Sequence, residues 1–244
     1  MTNTATTAGA APAPQGLAAR MLGIVTAPRA TFERLLTRPA WFGVLAVTTA
    51  IVAMFTVLPM TTEAGRQATI DQQLTQMKSF GIQTNDQMVE RMEAQARFMP
   101  YTTAASIIVI SPIMVLIVAG ILFAIFNAAL GGEAAFKQLF SVIVHAGVIS
   151  TLSAVFSGTI NYFRGATGSV ANLGALLPML PEDSFVGHLM GTIDVFLLWY
   201  VIVLAIGLAV LYRRKTQPIA IGLLVFYGVI ALVVALIKTR MGAA

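Results

Sequence analysis

The chain has 244 residues, of which 57% are apolar and only 10% charged, with a net charge of +5 and no cysteine. A water-soluble domain carries about 25% charged residues, so an apolar core wrapped in a charged shell is excluded. Disulfides, thiolate catalysis and cysteine zinc sites are excluded too. No basic run exceeds Arg213-Arg214-Lys215, too little for a nucleic-acid footprint, so no nucleic-acid partner is expected. Basic excess in such a chain reflects topology and attraction to anionic headgroups.

Residues 1–15 are low-complexity Ala, Thr and Pro and are predicted to form a disordered tail. The first 16 residues hold no apolar run, so the first span is expected to serve as an uncleaved signal anchor. Between 16 and 37, Leu17, Met21, Ile24 and Val25 recur at helical spacing, followed by Phe32, Leu35 and Leu36, with Arg20, Arg29, Arg34 and Arg38 between them. Pro28 divides this amphipathic segment into two short helices. Two placements are open: a helix lying in the headgroup plane, or one packed against the spans.

Five stretches then run without Asp, Glu, Lys or Arg: between Arg38 and Glu63, Arg97 and Glu133, Lys137 and Arg164, Asp194 and Arg213, and Lys215 and Lys238. A bilayer core about 30 Å thick needs roughly 20 apolar helical residues to cross it. The spacing predicts an all-α membrane protein with five transmembrane helices, at about 40–60, 102–130, 138–161, 193–212 and 217–237. One membrane domain over 16–240 accounts for the chain. Trp41 and Phe42 open the first span, where aromatic rings favour the interface. Pro112 is expected to kink the second.

Residues 61–100 are polar and predict an extramembrane helical hairpin. Ile70, Leu74 and Met77 mark one helical face, Gly81 falls in the turn, and Thr84 with Gln87 forms a capping-box pattern for the second helix. Met88, Met92, Ala96 and Met99 form a stripe at helical spacing. At that spacing the stripe reads first as packed core, and otherwise as a pliable binding or thioether surface. Residues 162–192 read as a loop.

Positive charge collects on the cytoplasmic side of short loops. With the amino terminus inside, that side holds Arg20, Arg29, Arg34, Arg38, Lys137, Arg213, Arg214 and Lys215, and the other holds Arg66, Lys78, Arg91, Arg97, Arg164, Lys238 and Arg240. The totals nearly match. Four of the second set lie among acids in the hairpin, whereas the first set holds the dense clusters. The amino terminus is therefore expected in the cytoplasm and the carboxyl terminus outside an inner membrane.

Polar groups at membrane depth are functional candidates because they are costly unless paired. His145 lies about 12 Å past Lys137 along a helix and reads as a proton relay or metal ligand, or more simply as a hydrogen bond to a neighbouring helix. Asp194 opens the fourth span, where it suits an ion site or a helix cap. Glu133 and Lys137 are four apart and are expected to pair across one turn. Asn127 and Asn161 suit bonds across helices. Glu182, Asp183 and His188 are metal-ligand types in a weak arrangement. No phosphate-loop, H-E-x-x-H or G-x-S-x-G pattern occurs. No catalytic, metal or cofactor site is expected, and an enzyme is not.

Pro28-Arg29-Ala30-x-Phe32 with Pro39, Phe126-Asn127 followed by Gly131-Gly132-Glu133-Ala134-x-Phe136-Lys137, and Asp194-x-Phe196-x-x-Trp199 with Gly207 stand in order along about 20–240. In that order they resemble bacterial Yip-domain proteins, the Ypt/Rab-interacting protein family. The resemblance implies a five-span membrane domain with a cytosolic amino terminus. Eukaryotic members bind prenylated Rab-type GTPases, but their Asp-Leu-x-Gly-Pro motif has no match in this chain, so no GTPase contact is transferred. The expected function is a non-enzymatic membrane-organising or adaptor protein that contacts membrane lipids and a protein partner or a second copy. Arg29, Phe32, Arg34 and Arg38 are the expected partner or lipid contacts. The alternative is a small-molecule or ion transporter using the kinked second span, His145 and Asp194.

Overall fold

The computed structural model describes residues 15–177, 179–181 and 184–242. Apart from Gln15, the expected tail lies outside the described residues. Among these the chain is helical, with one isolated bridge between Asn172 and Asp194. The helices are α1 (Leu17–Thr26), α2 (Pro28–Thr37), α3 (Phe42–Val57), α4 (Glu63–Ser79), α5 (Asp86–Gln95), α6 (Met99–Phe123), α7 (Phe136–Ala146), α8 (Val148–Arg164), α9 (Leu173–Leu176), α10 (Phe185–Thr192), α11 (Val195–Leu211) and α12 (Thr216–Gly242).

Helix α7 is the axis of the core. Every residue from Leu139 to Ala146 is buried, because α1, α2, α3, α6, α8 and α11 all pack on it. The contrast with α6 and α12 is large. Val109 is 60% exposed and Phe226 65% exposed, and most apolar neighbours on these two helices are similarly bare. Patches of that extent are not tolerated in water; hydrocarbon is the solvent these faces suit.

Three helical runs are long and apolar enough to cross a membrane: Asp86–Ala129, Phe136–Arg164 and Thr216–Met241. Helices α3 and α11, of 16 and 17 residues, rise only about 25 Å. Each is packed among other helices. A helix shielded by protein need not match the lipid thickness that constrains an exposed one.

Several local expectations are corrected. The expected run at 138–161 lies within the span-length run Phe136–Arg164, which the single turn residue Gly147 divides into α7 and α8. Pro112 lies inside the helical run of α6, and a π-helical turn follows at Ala124–Ala129. Asn85, not Thr84, caps α5: its side chain accepts the Met88 N–H at 2.9 Å. Asn suits that position better than Thr. The 162–192 loop contains α9 and α10, capped by Asn172 and Ser184. Gly81 does form the hairpin turn, at φ +71. Among the methionine stripe no residue is fully buried and α5 buries nothing, so the stripe is a half-covered face, not core.

Two glycines set how closely helices approach. A Cβ on Gly158 of α8 would lie 2.2 Å from the Phe55 carbonyl oxygen of α3. On Gly207 of α11 it would lie 2.5 Å from Val142 and 2.9 Å from the Phe32 ring. Small residues at such crossings substitute van der Waals contact for the hydrophobic force that lipid does not supply.

Candidate functional site

Hydrogen bonds gather chain segments at two ends of the bundle. At the first end the Arg29 guanidinium donates to the Thr216 hydroxyl at 3.5 Å, Gln138 Nε2 to the Leu36 carbonyl at 3.4 Å, and Arg214 to the Leu130 carbonyl at 2.8 Å. The Tyr212 hydroxyl donates to Asn127 Oδ1 at 2.7 Å, and the Tyr212 ring stacks on Phe126 at 4.9 Å. Asn127 thus bonds across helices, as its position suggests. At the second end Thr167 donates to the Ala68 carbonyl at 3.1 Å, and His188 Nδ1 lies 3.1 Å from the Thr239 hydroxyl.

Phe32 is not a surface contact. It is fully buried, with Thr31 and Leu35, in the core between α7 and α11. The amphipathic segment is therefore packed against the other helices, and its apolar face is not free to meet headgroups. Arg34 and Arg38 are exposed. Arg29 pairs with Glu33 at 3.8 Å. Such an exposed pair contributes little to stability.

Glu133 and Lys137 do not pair. Helix α7 begins at Phe136, so Glu133 precedes the helix and the four-residue spacing loses its meaning. Both side chains are exposed.

His145 is fully buried, and its Nδ1 lies 2.8 Å from the Ser141 carbonyl of its own helix. A carbonyl only accepts, so the proton sits on Nδ1. The bond to a neighbouring helix expected for this ring is absent. Nε2 has no partner, nor does the Ser141 hydroxyl or Arg20 Nε, all three buried. Arg20 also donates to the Ala40 carbonyl. Arg20 and Ser141 were not singled out from sequence. The signal was there: Arg20 lies four residues before buried Ile24, and Ser141 four before His145, so each shares the buried face of its helix.

Asp194 is a helix cap. Its Oδ1 accepts the Phe196 and Leu197 N–H groups at 2.8 and 3.1 Å, and Oδ2 accepts the Ser169 hydroxyl at 2.5 Å. Nothing joins it to His145. Asp194→Ala is expected to destabilise the protein by about 1 kcal/mol, read as a lower thermal midpoint in detergent. Asp194→Asn should retain most of the stability.

A cleft of about 450 Å³ opens at the second end, lined in part by Asn161, Arg164, Thr167, Ser169, His188 and Lys238. Asn161 donates to the Gly168 carbonyl at 2.7 Å, while its Oδ1 is buried without a partner. Glu182 and Asp183 lie outside the described residues.

The comparisons agree with this helical membrane architecture. The model of the Yip1 domain family matches residues 22–237. The chain is 26% identical over 188 residues to "Membrane protein YknW" of Bacillus subtilis, covering 77% of this chain and 76% of that one. No solved structure matches. With nearly its whole length matched by the family model, the chain belongs to the Yip1 domain family.

Proposed function

We infer that this Yip1-domain protein is a non-enzymatic, five-span adaptor that holds a second membrane protein. Helices α3, α6, α7 with α8, α11 and α12 are the spans. The two sets of end-to-end hydrogen bonds support that alternation, because each span joins a segment of one set to a segment of the other. The basic turn at 213–215 and the α1–α2 segment then face the cytoplasm of a bacterial inner membrane, with the hairpin and carboxyl end outside.

The observation that carries the adaptor reading is α5. It stands outside the apolar bundle and buries no residue of its own, yet it carries a half-covered face of Met88, Val89 and Met92. Methionine faces adapt to varied partners. The test is a photo-crosslinking amino acid at Met92 in native membranes, with Leu232 on lipid-facing α12 as comparison. A discrete adduct from Met92 is expected; no adduct from any of Met92, Glu90 and Glu93 would count against the reading.

One observation favours transport instead: His145 is fully buried and its Nε2 has no partner. Substrate flux into liposomes that is lost in His145→Ala would replace the adaptor reading.

A further inference from the structure

An apolar groove of about 540 Å³ lies between the start of α3, the middle of α6 and the start of α7. Trp41, Leu45, Pro112, Leu116, Phe136 and Phe140 line it, and Lys137 is the single charged residue in that lining. The rings in its lining touch one another, and Phe136 also touches Phe123, which is outside the lining. Trp41 meets Phe140 edge-on at 5.0 Å, Phe140 stacks with Phe136 at 6.1 Å, and Phe136 meets Phe123 at 5.6 Å. A chain of aromatic contacts of this kind holds its shape.

We propose that this groove is a selective site for an anionic glycerophospholipid, with an acyl chain along the groove and the phosphate at Lys137 and Arg38. Apolar lining alone cannot select a lipid, since every tail is equally apolar; selection has to come from the headgroup. The mouth has that chemistry. Lys137 and Arg38 are both exposed, and among the described residues neither has a carboxylate partner. The Gln138 bond to the Leu36 carbonyl brings the last turn of α2 against the first turn of α7, and Arg38 and Lys137 each lie within two residues of that bond. Glu33 is engaged by Arg29, which leaves exposed Glu133 as the nearby free acid in sequence. Helix α7 also begins at this mouth, and its amino-terminal dipole favours a phosphate. Trp41 suits the level where headgroup meets tail.

The proposal shares only the membrane setting with the adaptor reading, which is tested on α5 at the other end of the bundle. The experiment is native mass spectrometry of the full chain in detergent, offered equimolar phosphatidylglycerol and phosphatidylcholine of identical tails. Retention of phosphatidylglycerol over phosphatidylcholine is expected. A basic residue near a headgroup contributes about 1 kcal/mol, roughly fivefold, so Arg38→Gln with Lys137→Gln should cut the preference about 25-fold at an unchanged thermal midpoint. Leu116→Trp, which fills the groove, should lose the bound lipid. Lys78→Gln with Arg91→Gln on the hairpin should change nothing. Equal retention of the two lipids, or a preference untouched by the Arg38 and Lys137 changes, would overturn the proposal. So would displacement of the lipid by inorganic phosphate, which would make this a free-anion site.

Discussion

Gly158→Ala is expected to destabilise the protein by about 3 kcal/mol, at the upper end of ordinary overpacking costs. The added Cβ would meet the Phe55 carbonyl oxygen at 2.2 Å, its carbon at 2.9 Å and the Phe55 Cβ at 3.0 Å. Two of those three atoms are backbone, so no rotamer change relieves the clash; α3 and α8 must separate along their crossing. The measurement is thermal unfolding in detergent followed by circular dichroism. Gly120→Ala is the matched comparison. It lies in the exposed helix α6 with nothing within 4 Å of the new Cβ, and alanine favours helix over glycine by about 1 kcal/mol. That variant should be at least as stable as the parent. If Gly158→Ala unfolded at the parental midpoint, the close crossing of α3 and α8 would be wrong.

The second large effect is Phe32→Ala, expected to cost about 3 to 5 kcal/mol. Phe32 is fully buried, and its ring lies against the small-residue notch at Gly207. Truncation leaves a cavity where α2 meets α7 and α11, which cannot collapse without moving three helices. Phe32→Leu should recover a large part of the loss. Arg34→Ala, two residues on and exposed, should leave stability within about 0.5 kcal/mol. The two variants together separate the possible roles of this segment. Were Phe32 a headgroup contact, its removal would weaken membrane partition and leave the unfolding midpoint unchanged. Trp41 offers a convenient signal for both, since its ring packs edge-on against Phe140 of α7 at 5.0 Å.

Much of the architecture was legible in the residue order. Charge-free runs located the apolar helices, because a charged side chain is too costly in hydrocarbon to be scattered through them. Pro28 marked the division of α1 from α2, and Gly81 marked the hairpin turn. The Asp194 cap was among the readings open at that position, since a carboxylate just before an apolar helix finds free N–H groups. The candidate site was less legible. Glu133 and Lys137 have pair spacing, but a helix start at Phe136 places one of them outside the helix. Phe32 sits in a basic amphipathic segment that serves equally at a membrane surface or in a core. Periodicity names the face of a helix and not the neighbour that covers it.

That distinction divides the account of this protein. Composition and the order of apolar runs were enough for helical class and membrane setting, because both follow from the solvation cost of each residue taken singly. The burial of α7, the orphaned polar atoms of Arg20, Ser141 and His145, and the bond joining Gln138 of α7 to Leu36 of α2 are relations between segments distant along the chain. They depend on how closely helices approach, and that distance is set at Gly158 and Gly207 by atoms on a neighbouring helix.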